Sequence, residues 1–267
     1  MFRYGFPGSS VNFKNTQMCV VGIKMFNSQL NVDSSTFNNT TVSLEFPSGS
    51  TVTQLDITLP DGIYSIPDIN ARLQTEMVNA GAYLRNSSGD NVFYLQISAN
   101  SVYYAAQVDA VPVPSTIPTG YSLPTSGIYS SGLPTGGRTP RLIINIAAFG
   151  ALLGLAAGSY PSVSSTTAQS FLSTVTPQIN PSSAYILRCS LVNNSFSVPS
   201  DILCTFGTNG TSAGQMITYS PTEAQWIDVC PGAYNSITLT IVDQFERFIR
   251  LKDPNLLITL AFRTKKN

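Results

Sequence analysis

The sequence predicts an all-β protein, an antiparallel β-sandwich in one domain covering residues 1–267, with a helix inserted at about 65–80 and a Pro/Gly-rich loop at about 109–140. Three observations predict it. Apolar and polar residues alternate with a period of two in many short runs, the mark of a strand with one buried face. Glycine, proline and asparagine separate those runs, and no strand–helix–strand alternation of the parallel kind is present. Only 10% of residues are charged while 43% are hydrophobic, enough to fill a large core under a surface built from Ser, Thr, Asn and Gln.

From the N-terminus, Met18–Phe26 is the first predicted strand. In "TTVSLEF", Val42, Leu44 and Phe46 alternate with Thr41, Ser43 and Glu45; in "QLDITLP", Leu55, Ile57 and Leu59 alternate with Asp56 and Thr58. The helix lies in "SIPDINARLQTEMVNAG". Ser65 and Asp68 are spaced for a capping box, Pro67 stands in the first turn, and Ile66, Ile69, Leu73 and Met77 form one stripe that Gly81 closes. Val92–Ile97, Val102–Val108 and Leu142–Ile146 follow as strands.

The apolar stretch "RLIINIAAFGALLGLAAGSYP", Arg141–Pro161, raises the question of a membrane segment or fusion peptide. A spanning helix needs about 20 apolar residues. Leu142–Gly158 is shorter and contains Asn145, so a buried strand followed by a short apolar helical turn is predicted. In "AYILRCSLV", Tyr185, Leu187, Cys189 and Leu191 share the face opposite Arg188 and Ser190. Ile202–Phe206, Gln225–Val229, the alternating "ITLTIVD" around Ile237, Leu239 and Ile241, and Leu256–Phe262 complete the strands. Trp226, in "AQWIDV", is expected in the core or at an interface.

The loop carries Pro112, Pro114, Pro118, Pro124, Pro134 and Pro140, which prevent regular strand pairing. It is predicted as an excursion from one domain and not as a linker, because the strands before it need those after it as partners. Long excursions of this kind are commonly contact segments, so Pro112, Tyr121, Tyr129 and Pro134 are the candidate subunit or partner contacts. Deleting Pro112–Pro140 is expected to leave a folded monomer.

Chemistry is sparsely equipped. The chain has no histidine, which excludes a histidine-assisted triad. "TGGRTP" lacks the lysine and following helix of a phosphate loop. Asp243, Glu246 and Asp253 hold oxygens of the type that ligate calcium, but Arg247, Arg250 and Lys252 stand among them, and neutralisation at a strand–turn–strand corner is the simpler expectation. Cys19, Cys189, Cys204 and Cys230 form no metal-ligand spacing; they are expected as buried apolar side chains, with a cross-strand disulfide open. The tail residues Arg263, Lys265 and Lys266 are too few for a basic stripe, so specific nucleic-acid binding is not expected. No paired carboxylates mark an acid–base site, and neither enzymatic activity nor a cofactor is expected. "MFRYGFPGSS" lacks an apolar run of the secretory kind, so the glycosylation patterns at Asn39, Asn86, Asn193 and Asn209 are expected to be chance matches. The charge-poor surface suits a subunit packed against copies of itself, since interface cores are depleted of Lys, Glu and Asp.

Several stretches carry a resemblance. "FGALLGLAAGSYP" with "TPQINPSSAYILRCSLVNNSFSVPSDIL", the strand–turn–helix segment "DITLPDGIYSIPDINARLQTEM", and the C-terminal "ITLTIVDQFERFIRLKDPNLLITLAFR" resemble penton-type vertex proteins of virophages and polinton-like DNA viruses. The resemblance implies a single jelly roll of two four-stranded sheets, with five copies ringed at each icosahedral vertex and the major capsid protein around them. It carries over no catalytic residues, and the Arg-Gly-Asp loop of the more distant adenovirus penton base is absent.

The resulting expectation is a structural protein of a virion, a homopentameric penton assembled inside the infected host cell. Its partners would be its own copies, the major capsid protein, and a vertex spike or host receptor. Two alternatives stay open: a minor, cement or single-jelly-roll major capsid protein, and a jelly-roll carbohydrate- or receptor-binding module marked by Tyr103, Tyr104, Tyr121 and Tyr129.

Overall fold

The computed structural model describes residues 1–180 and 182–265. It is all-β and built of antiparallel sheets, as predicted, with two helices among the described residues. The chain divides into two compact units where the sequence suggests one domain: unit one is Met1–Leu30 with Asn180–Asn267, and unit two is Asn31–Ile179. Each has its own hydrophobic cluster. The division escapes sequence reading because unit one is built from segments far apart in the chain.

Unit one begins with β1 (Phe2–Gly5), β2 (Val11–Phe13) and β3 (Thr16–Phe26). The chain then builds unit two from β4 (Thr41–Ser48), β5 (Thr51–Thr58), α1 (Ile66–Asn79), β6 (Leu84–Arg85), β7 (Asn91–Val92), β8 (Leu95–Asn100), β9 (Ala105–Ala110), β10 (Arg141–Ile144), α2 (Ala147–Leu153), β11 (Gly158–Tyr160) and β12 (Gln169–Leu172). It returns to unit one for β13 (Tyr185–Cys189), β14 (Ile202–Phe206), β15 (Met216–Tyr219), β16 (Ile227–Asp228), β17 (Gly232–Tyr234), β18 (Ser236–Asp243) and β19 (Leu256–Thr264).

In unit one, one sheet runs β1-β18-β13-β14. The other is centred on β3, whose one side pairs with β19 along nearly its whole length while β15 and β16 share the other side. The inward faces supply the core: Met18, Ile23 and Met25 from β3, Tyr185, Leu187 and Cys189 from β13, and Ile237, Leu239 and Ile241 from β18. In β13 and β18 the predicted alternation places the right residues inside, because a period of two puts every second side chain on the buried face. In β3 a register shift between Val20 and Gly22 changes the parity, so that Met18 and then Ile23 and Met25 turn inward.

In unit two, one sheet runs β11-β10-β4-β5 and a second β12-β9-β8. Between them lies a core of Val42, Leu44, Phe46, Ile97, Val108, Leu142 and Phe149, capped by Ile69, Leu73 and Met77 of α1. The capping box forms as predicted. Asp68 N–H donates to Ser65 Oγ (3.3 Å), and Ser65 N–H donates to Asp68 Oδ2 (2.9 Å). The helical turn predicted after Ile146 is α2, stopped by Gly154 at φ 68°. Among the described residues no helix is long and apolar enough to cross a membrane.

Asn31, fully buried, fastens the base of unit two. Its Nδ2 donates to the carbonyls of Tyr64 (2.7 Å) and Ile179 (2.9 Å), and its Oδ1 accepts from Tyr64 N–H (2.8 Å). The first and last residues of the unit are thereby held together.

Candidate functional site

The long loop is not a free arm. Val113 and Arg138 exchange both backbone hydrogen bonds (2.9 and 3.2 Å), Ser122 pairs with Arg85, and Tyr129 N–H donates to the Gly81 carbonyl (3.0 Å) at the end of α1. The approach there is tight: a Cβ on Gly127, at φ 94°, would stand 2.2 Å from the Ala80 carbonyl oxygen. Tyr129 inserts its ring into the core of unit two, edge-on to Phe46 at 6.4 Å, and is 0% exposed. Tyr129 is therefore no subunit contact. Pro134 is buried as well, while Pro112 and Tyr121 are half-buried. Deleting Pro112–Pro140 would remove Val113 and Tyr129 from the core, which argues against the expectation of a folded monomer after that deletion. Aromatics between glycines and prolines look alike in sequence whether they fill a core or face a partner.

The acidic cluster resolves into a turn. Asp243 is 1% exposed; its Oδ1 accepts from the N–H groups of Phe245 and Arg247 (2.9 Å each), and its Oδ2 accepts from Arg247 Nε (2.7 Å). Glu246 faces solvent, and Asp253 Oδ1 accepts from Asn255 N–H (2.9 Å). Asp243 and Asp253 each serve separate local bonds while Glu246 points to solvent, and no group of three or more potential metal ligands exists among the described residues. The corner-neutralisation reading holds for Asp243.

All four cysteines are free thiols, Cys19, Cys189 and Cys204 buried and Cys230 half-buried. Burial pushes Cys189 up to about 11 and Cys204 up to about 12, so both stay neutral and act as small apolar side chains. The basic tail is engaged too. Arg263 donates to Gln17 and lies 4.1 Å over the Trp226 ring, and Lys265 pairs with Asp228 at 2.9 Å; Lys266 lies outside the described residues.

What remains for contact is open strand edge and exposed apolar tip. Tyr219 of β15 packs against Phe206 of β14 with ring centroids 5.6 Å apart, so the open edges of β14 and β15 share one flank of unit one. β1 lies at the other end of its sheet, and β19 on the other side of β3, so these two edges form the opposite flank. The flanks differ in every residue they present. The β13–β14 turn holds Phe196 and Val198 each 98% exposed, its shape set by Asn194, whose Oδ1 accepts from Phe196 N–H (3.1 Å) and whose Nδ2 donates to the Ile202 carbonyl (3.1 Å). In unit two, Tyr103 and Tyr104 project from the β8–β9 turn, not from a strand as predicted. The signal for the Phe196 tip was present in "NNSFSVPSD", where apolar residues stand singly inside a turn-forming run.

No protein-family model matches the chain, and no curated protein sequence matches it. Two solved structures are similar. The 3.5 Å cryo-EM structure of the Sputnik virophage contains a chain 15% identical, at a TM-score of 0.41, over 99% of this chain and 92% of that one. The crystal structure of selenomethionine-labelled mavirus penton protein is 9% identical, at a TM-score of 0.43, over 98% of this chain and 91% of that one.

Proposed function

We propose that this chain is a structural subunit of an icosahedral double-stranded DNA virus capsid, forming a homopentameric ring at the vertex. The observation that carries this is the pair of unlike, open-edged flanks on opposite sides of unit one. An exposed strand edge is a standing invitation to pair with another chain. Contact between unlike flanks is heterologous, and it closes into a ring when the rotation per subunit divides the circle. The low charge of the chain supports the same reading, as do the stretches that resemble penton-type proteins. Its partners are then its own copies and the major capsid protein, its place is the virion after assembly in the host cell, and its task is geometric and not enzymatic.

Light scattering behind size exclusion, with negative-stain images of the same peak, tests this. Five-fold rings are expected. A discrete trimer would move the chain to a major, minor or cement role, and a monomer at every concentration would refute the ring.

One observation favours a second reading. Val102, Tyr103 and Tyr104 are 79%, 68% and 78% exposed on one turn, beside the amide of Asn100. Adjacent exposed tyrosines with neutral amides suit a carbohydrate or receptor surface. A glycan array probed with the wild type and with Tyr103→Ala/Tyr104→Ala decides it: binding lost in the variant supports a receptor role, and silence in both rejects it.

A further inference from the structure

From the two flanks we infer a specific ring contact: β1 of one copy adds beside β15 of the next, with Arg3 facing Glu223. The inference rests on the ring reading and assigns it residues. β1 and β15 are each four residues long, and each is paired on one side only, β1 with β18 and β15 with β3. Two such edges satisfy each other's backbone groups by strand addition, the cheapest way to remove an unpaired edge from water. They lie on opposite flanks of the same sandwich, so the contact repeats head to tail and cannot be isologous.

The side chains agree with the backbone. Beyond β15 lies an open, mostly polar cleft lined by Asn209, Thr218, Tyr219, Pro221, Glu223 and Gln225. Glu223 faces solvent and forms no ion pair with any described residue. On β1, Arg3 is exposed; its Nε donates to Ser236 Oγ (3.1 Å), and no carboxylate pairs with it among the described residues. In a chain so poor in charge, an unpaired cation on one edge and an unpaired anion beside the complementary edge are a matched set. The apolar partners match likewise, since Tyr4 is 59% exposed on β1 and Met216 50% exposed on β15. Hydroxyls and amides around Glu223 supply the further hydrogen-bond partners that a charge pair needs when it is taken from water.

The test is charge reversal followed by charge exchange, read as oligomeric mass against concentration. Trp226 fluorescence and far-UV circular dichroism confirm that each variant is folded. Arg3→Glu and Glu223→Arg each place like charges in the contact and are expected to weaken ring formation by about tenfold or more. The double variant Arg3→Glu/Glu223→Arg restores an opposite-charge pair in every contact and is expected to bring assembly back to within about threefold of wild type. Rings that withstand both single reversals would overturn this contact while leaving the ring reading intact. Reversals that break the ring without rescue in the double variant would overturn the pairing of these two residues. A wild type that forms no ring would overturn the ring reading itself, and this contact with it.

Discussion

Tyr129 decides whether the Pro/Gly-rich loop is ornament or core. Its ring is fully buried against Phe46, yet its hydroxyl is buried without a hydrogen-bond partner among the described residues. Two substitutions pull these features apart. Tyr129→Ala removes the whole ring; truncating a buried aromatic costs about 3–5 kcal/mol. Removing the unsatisfied hydroxyl returns about 1–3 kcal/mol of desolvation penalty, so the net loss is about 2 kcal/mol. Tyr129→Phe keeps the ring and removes only the hydroxyl, so a gain of about 1 kcal/mol is expected, a rise of roughly 2–4 °C in the melting of a unit this size. The assay exploits the position of the one tryptophan. Trp226 lies in unit one, so its fluorescence follows that unit, while far-UV circular dichroism follows both. Tyr129→Ala should lower the transition seen by dichroism and leave the Trp226 transition in place. A loss below about 0.5 kcal/mol, the level of an ordinary surface change, would refute the placement of the loop in the core. A loss in Tyr129→Phe would show that the hydroxyl is hydrogen-bonded.

Three further outcomes are expected. Gly127→Ala drives a Cβ into the Ala80 carbonyl at a backbone conformation that suits glycine, and should cost unit two about 2 kcal/mol or more in chemical denaturation. Ser65→Ala removes the side-chain acceptor of the α1 capping box and should cost about 1 kcal/mol in the same measurement. Alkaline pH should weaken unit one. The fold holds the Cys204 thiol neutral up to about 12 and Cys189 up to about 11, whereas an unfolded chain ionises thiols near 8.5. The stability they contribute is therefore complete below about pH 8.5 and falls as pH rises through 11 to 12. Denaturant midpoints by Trp226 fluorescence should decline across that range, less steeply in Cys204→Val; an unchanged slope would refute the assignment.

The sequence discloses an element when its signal is local. Ser65 and Asp68 fix the start of α1 by their spacing, and the alternation of Ile237, Leu239 and Ile241 fixes the inward face of β18. It misleads where a residue type has two uses. Val102, Tyr103 and Tyr104 have strand-forming side chains, but Tyr104 turns to φ 50° and the pairing Asn100–Ala105 closes a hairpin around them. The proline-rich loop does lack regular strands, yet its few backbone bonds and one aromatic ring suffice to seat it. The division into two units was hidden for another reason. Neither Leu30–Asn31 nor Ile179–Asn180 shows a change in composition, because the boundary is set by β3 pairing with β19 across the length of the chain. Of the contact surfaces, the charges were visible in sequence but their isolation was not: that Lys265 has Asp228 while Glu223 has no ion-pair partner among the described residues depends on tertiary neighbours.

The Asn31 clasp makes unit two a cassette. Because one side chain gathers the carbonyls of Tyr64 and Ile179 at its base, the segment starts and stops at nearly one point, and to the host sandwich it is topologically a single long hairpin. A segment so attached can be lengthened, shortened or exchanged without re-registering any strand of the host. In the proposed ring, unit one would stay under the constraint of fitting its neighbours while unit two drifts. Divergence among related chains should accordingly concentrate between residues 31 and 179, and the two flanks should change slowly and together.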